Sequence, residues 1–501
     1  MKWSSSETRS PLVESRNAQG VSTGFQLLDF SNDSTETYDA AGKLLSIRQR
    51  NGWTTTLQYN AQQHLASVTN HFGRQLTFTH DSSGRMTSMT APGGEITHYV
   101  YDTVGNLTSV TWPDGNIKRY HYEDSRHPRA LTGITDETGQ RIGNYTYDAQ
   151  GRVIETQRAG GVDRYQFAYS QGANGLPQTR VTDFSTGSPT SRTYNFITQG
   201  RVLRPAAVSA PCPLCGITAQ ATQYDASGLK TRELQHDGSV VFYQHNTRGL
   251  ETERATFPPS FASASTRPAL SNATSVVSTQ WHATWNLPTQ IAQPGQISSY
   301  GHDASGMLTG LSTVATTDTT GAAGFSATPT GPVSTTQYAY NADRLNTGIT
   351  EFTDGVQTQR WNMAYNAMGD LISITDVTAG NQSATITHDA QGRLTRIGAS
   401  NGAVASYTWD VHGQLVVAAM PGFTATLTYG SRKLLTEVRL STGPWLRVTY
   451  NAVGEPVSVL DSSGQVQQVS GLSTHWLRSA EPIGAAQSLL GHALRQGNQR
   501  V

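Results

Sequence analysis

The chain has 501 residues, 36% hydrophobic and 14% charged, and its 36 Lys and Arg balance its 36 Asp and Glu to a formal charge of zero. That balance excludes the basic footprint of a nucleic-acid or anionic-membrane binder. No apolar run reaches the roughly 18 residues of a membrane span, and Met1-Lys2-Trp3-Ser4-Ser5-Ser6-Glu7 leads into no apolar signal core.

In chain order, residues 1–32 read as an irregular lead-in, the remainder of an upstream domain, although Leu27-Leu28-Asp29-Phe30 already has the look of a strand. A repeat block follows over 33–170. Each repeat opens on a five-residue motif: an aromatic residue or His, then Asp or Asn, then Gly three positions on. Copies are Tyr38-Asp39 with Gly42, His80-Asp81 with Gly84, Tyr101-Asp102 with Gly105, and Tyr147-Asp148 with Gly151. Opening motifs at 38, 59, 80, 101 and 122 are 21 residues apart. Residues 171–223 form a long inter-repeat segment that holds Cys212 and Cys215. The block at 224–311 resumes with Tyr224-Asp225 and Gly228, His245-Asn246 and Gly249, and His302-Asp303 and Gly306. Two low-complexity stretches rich in Ala, Ser, Thr, Pro and Gly, 255–279 and 312–336, read as surface loops between hairpins. The last block, 337–471, carries Tyr365-Asn366 with Gly369, His388-Asp389 with Gly392, Trp409-Asp410 with Gly413, and Tyr450-Asn451 with Gly454. Degenerate copies of the motif stand at Tyr59, Trp281, Tyr340 and Tyr429. The tail, 472–501, has one short amphipathic helix candidate around Gly484 to Leu494, with Leu490 and Leu494 one turn apart.

Local chemistry says what one unit is. Asp accepts backbone N–H groups at a turn and Gly supplies φ > 0 without steric cost. In YDTVGNLTSVTWPDGNIKRYHY, residues 101–122, that turn leads into a β-branched run, a second turn at Pro113-Asp114-Gly115, and a polar-aromatic run into the next opening motif. Two strands of about five or six residues and two turns fill the period, so one repeat is one hairpin. A lone hairpin is marginal in water, which predicts an all-β protein: a long antiparallel ribbon of repeated hairpins, wound or closed. Two strands per repeat argue against propeller blades.

The Tyr-Asp-x-x-Gly-[Arg/Asn/Lys]-Leu motifs at this period resemble the YD repeats of the RHS family, shared with the cocoon components of bacterial insecticidal toxin complexes and with animal teneurins. The resemblance runs from about Tyr38 to Val459. It implies a spiralling sheet that forms a hollow shell around a C-terminal toxin. The family's closing motif, rich in Asp-Pro, has no counterpart, since the chain contains no Asp-Pro dipeptide, and the residues after Leu472 are too few for a globular toxin. The expectation is therefore an incomplete shell whose partner is a toxin cargo or C-terminal lid region, supplied in cis or by a neighbouring gene. A component of the secretion apparatus is a further expected partner. The product would be cytoplasmic before export, then secreted or at the cell surface by a route without an N-terminal signal peptide in this chain.

Few residues invite a chemical role. Cys212 and Cys215 form a Cys-x-x-Cys, compatible with a redox pair, half of a zinc site, or a tight turn with buried or bridged thiols. The turn is favoured, because zinc needs four ligands and a thioredoxin-type motif needs a helix. His80, His245, His302 and His388 stand in the ring slot of the opening motif and read as packed, hydrogen-bonded scaffold residues. The Asp residues of the motif read as turn caps. No Gly-Lys-Ser/Thr phosphate loop or His-Glu-x-x-His occurs, and neither catalysis nor a cofactor is expected. Two functions remain: encapsulation by a non-enzymatic shell segment, which predicts polar side chains facing a cavity, and an extracellular scaffold that binds glycans or a cell-surface partner, which predicts clustered exposed aromatics.

Overall fold

The computed structural model describes residues 11–468, apart from 31, 173–174, 185–187, 200–201, 212–218, 431 and 452–453. Among the described residues, 39 strands belong to one sheet that is not closed into a barrel. The chain is all-β, as the alternating runs predict, with short 3-10 turns such as Pro259–Phe261 and Leu270–Asn272 between strands. The strands divide into two units, each made of two separate stretches: 1–58 with 166–360, and 59–165 with 361–501. These boundaries cut across the repeat blocks read from the sequence.

Within a repeat both turns have the same backbone. At the first turn, residues 101–106, the N–H of Asp102 donates to the carbonyl of Asn106 at 2.9 Å and that of Gly105 to the carbonyl of Asp102 at 3.2 Å, with Gly105 at φ 92. The second turn repeats this, from Trp112 N–H to the Asn116 carbonyl and from Gly115 N–H to the Trp112 carbonyl, both at 2.9 Å. This is a type I turn closed by a left-handed residue, a geometry that joins antiparallel strands across a short loop.

The two turns differ in the ladders they open. Strand Ile96–Tyr101 pairs with Leu107–Thr111 as Tyr101↔Leu107 and then Val100↔Ser109, which leaves Thr108 without an opposite residue. The same skip follows Tyr38, His80, Tyr147, Tyr224, His302, Tyr365, His388, Trp409 and Tyr450. The ladders Ser46↔Thr56 to Arg48↔Thr54 and Ser109↔Arg119 to Thr111↔Ile117, opened by second turns, run without a break, whereas the one opened by the turn at Asp136 shifts between Ile134 and Thr135. A bulge bends a strand and raises its twist, so each of these first turns deforms the ribbon.

Three stretches depart from the sequence reading. The lead-in is a bulged hairpin, Leu12–Arg16 against Ser22–Asp29, which continues into Ser34–Tyr38 through Phe25↔Tyr38. Its turn is an opening motif without the ring: Asn17 Oδ1 accepts from the N–H groups of Gln19 and Val21, and Gly20 has φ 79. The stretch 255–279, expected as a loop, contributes Phe257 and Val276, both fully buried, to a core with Val240, Phe242, Ala255 and Ala273. Phe242 and Phe257 meet edge to face at 5.9 Å. The stretch 312–336 is partly strand, taken up by Leu308–Thr316 and Pro329–Tyr340. Gly321 lies so close to Val276 that a Cβ would overlap the Val276 carbonyl oxygen, which ties this stretch to the core. Composition misleads here because Thr and Val suit a half-buried pleated surface even in a low-complexity run.

Candidate functional site

The first turn, with its acid and its ring, is the feature that recurs from repeat to repeat. The acid side chain caps the turn. One carboxylate or amide oxygen accepts from the N–H groups two and four residues on: for Asp39 at 2.9 and 2.8 Å, Asp102 at 3.0 and 2.8 Å, Asp148 at 2.9 and 2.9 Å, and Asp225 at 2.8 and 2.9 Å. Asp81, Asp303, Asn366, Asp389 and Asp410 repeat the pair. Asn451 accepts from Glu455 N–H at 2.9 Å. The N–H of Arg85 holds the Asp81 carboxyl below the usual carboxylate range. At Asp102 burial pushes upward, and the hydrogen bonds from Asn106 and Val104 outweigh it, leaving that carboxyl low as well.

The ring of the motif also has a defined partner. Tyr429 Oη donates to the Leu415 carbonyl at 2.9 Å, Tyr450 Oη to the Leu435 carbonyl at 2.7 Å, and Trp409 Nε1 to the Leu394 carbonyl at 2.6 Å. Each acceptor is the residue that faces the preceding ring across the bulge: Leu394 faces His388, Leu415 faces Trp409, Leu435 faces Tyr429. The ring of one repeat thus fastens the bulge of the repeat before it. Burial raises the phenol pKa of Tyr101, Tyr147, Tyr224, Tyr429 and Tyr450. Tyr38, which donates to the Glu36 carboxylate, is pushed up to about 12, first by that bond and then by burial. The histidines in the ring slot are packed but not hydrogen-bonded as expected, since His80, His302 and His388 each keep a buried Nδ1 without a partner. Burial, then the neighbouring His282, lowers the His302 pKa.

The unit containing 59–165 and 361–501 brings first turns together with second turns from far along the chain. Arg74 Nη2 donates to Asp370 Oδ2 at 2.6 Å, and Gln391 Nε2 to Glu95 Oε1 at 3.0 Å, each across 296 residues. The Asp114 carboxylate, 8% exposed, lies 3.3 Å from both His412 Nε2 and Lys433 Nζ. Asp136, 4% exposed, pairs with Arg432 at 2.6 Å, and Arg158 reaches Glu455 at 3.1 Å. Each of these contacts joins a second turn of the early stretch to a first turn of the late one, and, apart from the Lys433 contact to Asp114, successive contacts advance by one repeat on both sides. The result is a seam in register. Sequence reasoning missed it, although charged residues at these turn positions were the visible signal.

Cys212 and Cys215 lie outside the described residues, as does the tail helix candidate. Among the described residues no group of three or more His, Cys, Asp or Glu is placed to hold a metal, and no helix is long and apolar enough to cross a membrane.

Residues 15–126 match the family model Teneurin YD-shell, and residues 388–422 match RHS Repeat. In those two stretches the chain is similar to YD and RHS repeats. The first match contains the first turns at Asp39, Asp81 and Asp102, and the second those at Asp389 and Asp410. Solved structures that align with this chain include TcdB2-TccC3 without its hypervariable C-terminal region, at 12% identity and TM-score 0.40, covering 91% of this chain and 30% of that one. The Photorhabdus luminescens Tc holotoxin pore aligns at 12% identity and TM-score 0.42, covering 91% of this chain and 30% of that one. The chain thus spans about 30% of the length of these two solved structures. No curated protein matches it.

Proposed function

We propose that the chain is a wall segment of an RHS-type shell, a non-enzymatic container for a toxin cargo that a C-terminal region or a partner supplies. The observation that carries this reading is the repeat itself: one hairpin, reproduced with the same turn and bulge and, at Trp409, Tyr429 and Tyr450, the same ring contact, whose recurring side chains are consumed in building sheet. Repeats that contact chiefly their neighbours build extended surfaces, and function then resides in the surface and not in one pocket. Export to the cell exterior and contact with a secretion apparatus belong to the same proposal.

The test is electron microscopy of the purified chain joined to a reporter polypeptide after Val501, followed by limited proteolysis. A hollow particle whose reporter resists cleavage until the particle is unfolded is the expected result. A solid particle, or a reporter cut as fast as the free polypeptide, would overturn the proposal.

A further inference from the structure

In the turn that follows Trp281, a histidine stands where most opening motifs carry Asp or Asn. His282 caps the turn with its ring: Nδ1 accepts from the N–H of Thr284 at 3.1 Å and from that of Trp285 at 3.2 Å. A backbone N–H can only donate, so these bonds assign Nδ1 as an unprotonated acceptor and place the proton of the neutral ring on Nε2. The ring is stacked on Trp285, centroids 4.3 Å apart. Trp281 Nε1 donates to the Glu251 carbonyl at 2.8 Å, and Arg248 bonds the carbonyls of His282, Thr284 and Trp285.

The same turn is a contact point between distant stretches of the unit that contains 1–58 and 166–360. Asn286 Nδ2 donates to the Phe30 carbonyl, in the turn that joins Ser22–Asp29 to Ser34–Tyr38, and Trp285 and Arg50 both close over Gly306. Between these turns lies a cavity of about 380 Å³, lined by Phe30, Asp33, Arg50, Trp285 and Ser305 among others. His302 is the neighbour of His282, ring centroids 6.3 Å apart, and its buried Nδ1 has no hydrogen-bond partner. The charged groups around the two imidazoles are Arg248, Arg50 with Asp33 at 2.6 Å, and Asp303 with Arg344 at 3.2 Å, while Asp29 and Arg48 line the cavity. Burial, then His282, then Arg50, hold the His302 imidazole below the usual histidine range against the opposing pull of Asp303.

An imidazolium has two donors and no acceptor. Protonation of His282 therefore breaks both cap bonds and sets a donor against the N–H groups of Thr284 and Trp285. The face of Trp285 by itself suits a cation, but two lost hydrogen bonds and the nearby Arg248 and His302 stand against that gain. We propose that the turn 281–287 is an acid-released latch: when His282 and His302 take up protons, the turn lets go of Phe30 and opens the cavity that it closes. The latch does not depend on the shell reading. Because the folded pKa of His302 is depressed, its contribution to the closed state is complete above the ordinary histidine value of about 6.5 and is lost as pH falls through the folded value.

Hydrogen–deuterium exchange of the full chain, read by mass spectrometry at about pH 7.5 and about pH 5 and corrected for the intrinsic rate, tests the latch. Peptides carrying 281–288 and Phe30 should exchange at least tenfold faster at the lower pH. The turn at 101–106 should not change, because the Asp102 carboxyl is held low and keeps its charge there. His282→Asn keeps an acceptor that does not titrate, as Asn366 does in its own turn, and should remove the acid response. His302→Tyr, which restores the commonest ring of the motif, should reduce it. Equal protection of the wild type at both pH values, an equal rise at 101–106, or an undiminished response in either variant would overturn the latch.

Discussion

Asp102 holds its turn with one oxygen and two backbone N–H groups, and an amide oxygen does the same at Asn366. Asp102→Asn should therefore leave Tm at pH 7 close to wild type, whereas Asp102→Ala, which removes the acceptor, should lower it. The pH response separates them further. The folded pKa of Asp81, Asp102 and Asp148 is depressed, so their contribution is present above the unfolded value of about 3.9 and fades as pH falls through the folded values. Scanning calorimetry between pH 6 and 2 should show a shallower acid loss in Asp102→Asn. A second residue-scale effect lies in the degenerate motifs, where Gln63, Arg344 and Lys433 hold the glycine position at φ 67, 62 and 60. A left-handed L-residue costs about 1 kcal/mol, so Gln63→Gly should stabilise by that order in denaturant unfolding. Lys433→Gly should not, because Lys433 Nζ pairs with Asp114 and lies 5.5 Å from the centre of the Trp112 ring.

At the scale of the element, the bulge and the ring act together. The extra residue is often Thr, and its hydroxyl bonds back across the ladder: Thr108 Oγ1 to the Val100 carbonyl at 3.1 Å, Thr395 to Thr387 at 3.0 Å, Thr436 to Thr428 at 3.0 Å. The next ring then fastens the same corner. Tyr450→Phe removes only the donor to Leu435, and a net loss of about 1 kcal/mol is expected, with faster amide exchange confined to the hairpin around Tyr429 and Leu435. Loss of exchange protection throughout the unit would contradict a local role. A bulge does not alter a 21-residue period, which is why counting repeats could not reveal it, yet the recurring Thr after Gly-Asn-Leu, Gly-Arg-Met and Gly-Arg-Leu was in view.

At the scale of the molecule, the seam contacts are polar and spaced one per repeat. Removing one partner of a nearly buried pair leaves a charge without compensation. Arg432→Met should thus destabilise by about 3 kcal/mol through Asp136, while Arg158→Met, at an exposed pair with Glu455, should cost less than about 1 kcal/mol. Chemical unfolding of both variants checks the contrast, and equal losses would mean that burial does not set the strength of the seam.

Period, turn chemistry and strand alternation were properties of the sequence alone: they dictated the hairpin and the all-β class and marked Asp39, Asp102 and their repeats as turn residues, because each depends on residues within about six positions of one another. The same local logic left the ringless motif at Asn17 unnoticed for want of a Tyr, and left 255–279 among the loops for its composition, although Phe257 and Val276 were there to be buried. Only the tertiary structure decided which second turn meets which first turn, that the chain divides into two discontinuous units, and that His282 and His302 meet beside a turn from the start of the chain. Those pairings depend on bends and twists accumulated over many repeats, and near-identical hairpins carry no local mark of the partner they will meet 296 residues away.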